Sequence, residues 1–246
     1  MTPPHSEPRS TLGMSARGAL TAYTLVSVVN LTSIATGNET GANVTQWLLV
    51  PVLAVAFLLL PPRGSTPLPR LRTATLVALG FSWLGDSLPD LTNGDSAFLV
   101  MVGGFLCAQI AYIVGFLPHA GRSILTRAPL LTALYAVVVV GLVLACAGGA
   151  GPLLAPVVVY GATLTTMAVL STGLNRWTAF GGAIFMVSDS LIALGAFRHW
   201  TGVAMSVAVM ATYAVAQGLL VVGISRFRSA AHNDSTASAK SERSAR

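Results

Sequence analysis

Charge is what this sequence has least of. Asp, Glu, Lys and Arg make up 9% of its 246 residues, against about 25% in soluble domains. So few charges cannot solvate a water-facing surface, which excludes a soluble enzyme core and a disordered scaffold. Cysteine is almost absent as well. Cys107 and Cys146 stand far apart inside apolar runs, so neither a disulfide framework nor a metal-ligand spacing can be built from them. The four histidines, His5, His119, His199 and His232, lie in tails or at the ends of apolar runs. That leaves no intramembrane zinc cluster, no HExxH and no base for a serine hydrolase. The stretch Gly148-Gly149-Ala150-Gly151 matches no phosphate-binding pattern and reads as a tight turn.

What the chain has in abundance is apolar residues, 54% of the total, with a mean hydropathy of +0.73. Runs of about 17–25 such residues read as spanning helices, because lipid offers the backbone no other hydrogen-bonding partner. They fall at 18–36, 44–61, 72–89, 96–117, 128–147, 152–171, 178–196 and 201–225. The sequence therefore predicts an all-α, polytopic membrane bundle of eight helices over residues 17–225, between disordered polar tails at 1–16 and 226–246. The first run is interrupted by Asn30, Thr32 and Ser33. A cleaved signal ending near Ser33-Ile34-Ala35 is the alternative, but losing this run would spoil the charge pattern.

That pattern is strongly asymmetric. A net charge of +6 would suggest nucleic acid in a soluble protein, but here the basic residues gather between alternate apolar runs. With the N-terminus inside, the cytoplasmic segments hold thirteen of the fourteen Arg and Lys residues and the outer loops hold only Arg198. The rule that cytoplasmic loops collect positive charge then places both termini in the cytoplasm. No nucleic-acid partner is expected. The excess of Arg over Lys reads as a GC-rich genome, and a bacterial cell membrane is the expected location.

Of eight acidic residues, only Asp86 and Asp189 fall within apolar runs. An Asp in mid-helix costs about 2.5–3.5 kcal/mol on insertion scales, so it marks a functional site by default. Counting along the helices at about 1.5 Å per residue puts both in the outer half of the bilayer at similar depth. Two carboxyl groups meeting in one pocket can divide the roles of acid and base. The plainer alternative is that each Asp bonds a neighbouring polar group and locks helices together. The other intramembrane polar residues are candidate substrate-binding or supporting groups. Gln109 and Tyr112 share one helix face, Tyr213 and Gln217 another, and Tyr160, Thr163 and Ser188 add hydroxyls.

An internal echo joins the two acids. Gly85-Asp86-Ser87-Leu88 closes the third run and Ser188-Asp189-Ser190-Leu191 lies in the seventh. Each follows a Phe (Phe81, Phe185) and precedes, one run later, a Tyr (Tyr112, Tyr213). A separation of four spans preserves direction, so the expectation is a 4+4 parallel repeat about an axis along the membrane normal.

Four segments resemble the YhhN-like lysoplasmalogenase family. They are Leu79 to Leu88, with Gly85-Asp86; Met101 to Tyr112, with Gln109; Gly181 to Leu191, with Ser188-Asp189-Ser190; and Thr212 to Gln217. The likeness runs from about Val44 to Gly223. Two positions depart from the family pattern. Val50 precedes Pro51 where the family often has Lys, and Gln109 stands where it often has His. The resemblance implies an eight-span hydrolase that cleaves the vinyl ether bond of lysoplasmalogens to a fatty aldehyde and a glycerophospho-ethanolamine or -choline. It implies a lysophospholipid substrate drawn from membrane lipid, catalysis by Asp86 and Asp189, and neither metal nor cofactor. Vinyl ethers hydrolyse by protonation at carbon followed by capture of water, which suits a pair of carboxyl groups. From another class, a proton-coupled transporter or lipid-moving protein would also use intramembrane carboxyls and parallel repeats. Helices broken at Pro51 or Pro156 would favour it. An intramembrane aspartyl protease is the third reading, but Trp83-Leu84-Gly85-Asp86 has Trp where a GxGD motif needs its first Gly.

Overall fold

The computed structural model describes residues 9–60, 68–92 and 94–227. Among them are eight helices of 18 residues or more: α1 (Arg9–Ala35), α2 (Glu39–Leu59), α3 (Pro69–Ser87), α4 (Asp95–Phe116), α6 (Pro129–Ala150), α7 (Leu154–Ser171), α8 (Arg176–Arg198) and α9 (Val203–Arg226). A single turn, α5 (Ile124–Arg127), and three short 3-10 segments at Leu88–Leu91, Leu117–Arg122 and Gly151–Leu153 join them. The chain is an all-α, multi-pass membrane protein. Helix α1 starts at Arg9, within the stretch read from sequence as tail, while residues 1–8 and 228–246 lie outside the described residues.

Six stretches are long and apolar enough to cross a bilayer. One of them, Pro129–Ser171, is 43 residues long and is divided into α6 and α7 by the 3-10 turn at Gly151. Helix α3 is not among the six. Arg70, Arg72 and Asp86 put three charges into its 19 residues, which lowers its hydropathy below that of its neighbours. Helices α2 and α7 run unbroken past Pro51 and Pro156.

The helix starts follow from local chemistry. Asn38 accepts a hydrogen bond from the Gly41 N–H at the head of α2. Asn175 accepts from the Trp177 and Thr178 N–H groups at the head of α8, and the Thr178 hydroxyl accepts from the Asn175 N–H. Such reciprocal caps satisfy amides that a helix leaves free. Pro69 and Pro129 open α3 and α6, where their missing N–H costs nothing.

The closest helix pairs are α1/α2, α3/α4 and α8/α9. Helix α9 is the hub, touching α1, α2, α3 and α8, and α7 closes the circuit between α4 and α8. Helix α6 lies outside, against α7 and α8, with Leu130, Val137 and Leu144 pointing away from protein. Exposed side chains of this kind suit lipid and would be costly in water. Small residues allow the close pairs. A methyl added at Gly104 of α4 would stand 2.7 Å from the Cα of Gly85 in α3, and one at Gly181 of α8 would stand 2.9 Å from the Leu220 nitrogen in α9. Without a hydrophobic drive between helices in lipid, backbone contact of this kind supplies much of the packing.

Candidate active site

The glycine contact between α3 and α4 fixes the first acid. Asp86 follows Gly85 directly, and Gly85 packs against Gly104 and Phe105 of α4. Asp189 enters from α8, two turns beyond the Gly181 contact with α9. Both aspartates are 5% exposed, and Asp86 lies within the electrostatic reach of Asp189. Their helices are distant in sequence, and the α8/α9 and α3/α4 pairs meet around them.

Each carboxyl is held by donors from other helices. The Tyr213 hydroxyl of α9 donates to Asp86 Oδ2 at 2.6 Å. The Tyr160 hydroxyl of α7 donates to Asp189 Oδ2 at 2.6 Å, and Gln109 Nε2 of α4 donates to the same oxygen at 3.2 Å. Behind Asp86 a buried chain continues. Gln217 Nε2 donates to Ser82 Oγ at 3.0 Å and to the Tyr213 oxygen at 3.4 Å. Gln217 Oε1 accepts from the Tyr112 hydroxyl at 3.0 Å. Gln217 therefore fixes Tyr213, and Tyr213 fixes the carboxyl. Phe105, Phe185 and Tyr213 pack edge to face with centroids 5.6–6.3 Å apart, an apolar wall around the two acids.

Asp189 and Tyr160 also line a slot of about 40 Å³, otherwise walled by apolar side chains such as Phe105, Val157 and Phe197. Phe98, Met101 and Ile192 line this slot and also a wider cleft of about 760 Å³ between the ends of α1, α2, α8 and α9. The cleft carries Asn38, Asn43, Gln46 and Ser206 among a larger share of apolar side chains such as Met205, Val209 and Met210. Among the described residues, the Gln109 Oε1 atom is buried without a hydrogen-bond partner, so a hydrogen-bond acceptor stands ready next to Asp189. No three His, Cys, Asp or Glu side chains gather as a metal set among the described residues.

The candidates chosen from sequence divide unevenly. Gln109, Tyr112, Tyr160, Tyr213 and Gln217 join the two aspartates in these networks. Ser188, adjacent to Asp189 in sequence, turns to the other side of α8 and donates to the Val209 carbonyl at 3.0 Å. Thr163 donates to the Val159 carbonyl of its own helix and is half-buried, with no bond to either aspartate network. Two contributors were not anticipated. Ser82 lies one turn before Asp86, a spacing that could have singled it out. Gln46 of α2 donates to the Asp86 backbone carbonyl at 3.3 Å, and nothing in the sequence near Gln46 points to that contact.

The model of the YhhN family matches residues 42–224. Lysoplasmalogenases of Mycobacterium bovis and Mycobacterium tuberculosis are each 31% identical to the chain over 210 residues, covering 79% of this chain and 78% of the relative. No solved structure matches.

Proposed function

The chain belongs to the YhhN family, and from that premise we propose that it is a membrane-embedded hydrolase. Its substrate is the vinyl ether bond of lysoplasmalogen-type lysophospholipids, and Asp86 and Asp189 are its acid and base. The observation that supports this reading best is Asp189 on the wall of an apolar slot, held by two donors, with a second carboxyl within electrostatic reach.

Asp189 is the acid. Tyr160 and Gln109 both bond its Oδ2, so the proton to be given sits on Oδ1. It passes to the vinyl carbon remote from oxygen, and the double-bond electrons form the new C–H bond. The adjacent carbon becomes an oxocarbenium ion. Asp86, ionised, stabilises that cation and takes a proton from the water that adds to it. The resulting hemiacetal gives its hydroxyl proton to Asp189 as its bond to the glycerol oxygen breaks, and Asp86 returns its proton to that oxygen, so both carboxyls are reset. Aldehyde and glycerophospho-ethanolamine or -choline are the products, and one water is consumed. The free Gln109 Oε1 accepts a hydrogen bond from that water or from the substrate hydroxyl.

The same reading extends to topology. Helix α3 is a span. Its 19 residues reach about 28 Å at 1.5 Å each; Arg70 is exposed in its first turn, and the other two charges are met. Arg72 donates to the Phe57 and Leu60 carbonyls and covers the Phe57 ring, and Asp86 pairs with Tyr213. With α1 kept as a span by the Tyr23 bond to the Ala214 carbonyl, the count is eight over residues 17–225 and both termini face the cytoplasm. The 4+4 repeat has reciprocal support. Asp86 accepts from the last helix of the second half, and Asp189 accepts from the last helix of the first.

Purified protein in detergent should release fatty aldehyde from a lysoplasmalogen without any ion gradient. Asp86→Asn and Asp189→Asn should each lower the rate at least about a hundredfold, the usual weight of a general acid or base, while eluting as folded protein. Full activity in both variants would falsify the assignment.

A further inference from the structure

Three arginines gather at the end of the bundle away from the wide cleft. Arg122 closes the 3-10 segment after α4, Arg176 opens α8 and Arg226 closes α9, and all three are exposed. Backbone contacts tie their segments together. Asn175 Nδ2, beside Arg176, donates to the Gly223 carbonyl of α9 at 2.8 Å. A methyl added at Gly173 would stand 2.6 Å from the His119 carbonyl oxygen. The side chain of Trp177 packs against Gly223, and Phe227 follows four residues later. The Arg176 and Arg226 guanidiniums lie 5.1 and 5.4 Å from the Trp177 ring centre, and that of Arg122 lies 5.4 Å from the Phe227 ring centre. Three cations thus share two neighbouring rings.

A guanidinium laid over a ring keeps its in-plane N–H fork for another partner. Arg72 is the contrast, since it gives its donors to the Phe57 and Leu60 carbonyls. Among the described residues, no carbonyl or carboxylate takes a bond from Arg122, Arg176 or Arg226. The described acids outside the apolar spans belong to the other end: Glu39 heads α2, Asp95 heads α4, and Asp90 accepts from Trp47. Cations so placed repel one another until an anion joins them, and phosphate oxygens match the arginine fork. Arg176 and Arg226 also mark the ends of two membrane-crossing stretches, the depth at which lipid phosphates lie. We infer that Arg122, Arg176 and Arg226 form a binding site for the phosphate of an anionic phospholipid, separate from the two aspartates. Free phosphate shares this chemistry and is the alternative source. Neither source depends on the hydrolase reading.

Equilibrium binding to the full chain in a neutral detergent, read by native mass spectrometry, tests the site. The ligands are phosphatidylglycerol, phosphatidylcholine and inorganic phosphate. The wild-type protein should hold phosphatidylglycerol more tightly than either of the others. Each basic residue near a membrane surface is worth about fivefold in affinity for an anionic lipid, so Arg176→Gln combined with Arg226→Gln should weaken that binding about thirtyfold. Arg176→Lys combined with Arg226→Lys keeps the charge but not the fork, and should fall between wild type and the glutamine pair. Arg198→Gln, at the far end of α8, should change nothing. Equal phosphatidylglycerol affinity in wild type and the glutamine pair overturns the site. An equal loss in Arg198→Gln, or a lysine pair that binds like wild type, shows diffuse attraction and overturns it as well. Inorganic phosphate bound as tightly as the lipid overturns the lipid as occupant. Should the glutamine pair not fold, Arg122→Gln alone should weaken binding about fivefold, and unchanged affinity there rejects the site.

Discussion

At the scale of single residues, neighbouring positions in one motif do unlike things. Asp189 and Ser188 are adjacent, yet a helix turns about 100° per residue, so they face different partners. Asp189 accepts from Tyr160 and Gln109, and Ser188 donates to the Val209 backbone. Loss of the Tyr160 bond should therefore reach the chemistry. The bond becomes one to a charged group only as Asp189 gives up its proton, and such bonds are worth about 1.5–3 kcal/mol, so Tyr160→Phe should reduce kcat about ten- to hundredfold with little change in KM. Ser188→Ala should leave aldehyde release near the wild-type rate and cost about 1 kcal/mol of stability, read as a lower Tm. Equal kinetic damage from both would mean that Ser188 acts in the reaction after all. The aspartates themselves were legible from sequence because charge in an apolar run is expensive. The donors were legible only as polar residues, since pairing Tyr213 with Asp86 spans 127 positions of sequence.

At the scale of elements, the site depends on how closely α3 and α4 approach. The Gly85–Gly104 contact leaves no room for a side chain, whereas Gly103, next along α4, meets nothing within 4 Å. Gly104→Val should thus push the helices apart, costing about 1–3 kcal/mol as overpacking does, and displace Asp86 from Tyr213. Gly103→Ala should be tolerated, with a small gain from the better helix propensity of Ala. Thermal unfolding in detergent, followed with aldehyde release, reads both; equal Tm values for the two variants would contradict the account. The run boundaries expected from hydropathy lie within a few residues of the helix ends for most elements. The exception is α1, whose start at Arg9 precedes the apolar run, because helix continues into polar sequence that hydropathy cannot register.

At the scale of the whole molecule, the eight-span arrangement makes a definite statement about sides. In the proposed arrangement the wide cleft between α1, α2, α8 and α9 opens outward, and the Arg-rich ends point inward. There, Arg176 and Arg226 flank the Trp177 ring at 5.1 and 5.4 Å, the arrangement of an interfacial anchor. In a background free of Cys107 and Cys146, Thr201→Cys should react with a membrane-impermeant maleimide added to intact cells. Gly121→Cys should react only after the cells are opened. The opposite pattern would reverse the topology and place the cleft in the cytoplasm.

Composition and the spacing of charges settled by themselves that this is a multi-pass helical protein with two acids where acids are costly. Those properties follow from the transfer of side chains and backbone into lipid, which depends on local sequence alone. Which polar groups meet was decided only by tertiary structure. Contact between Asp86 and Tyr213, or between Asp189 and Gln109, requires the glycine-mediated approach of helix pairs and the closing of α7 and α9 around them. Helix rotation and depth within the bundle come from packing against every neighbour at once. No stretch of sequence carries that information alone.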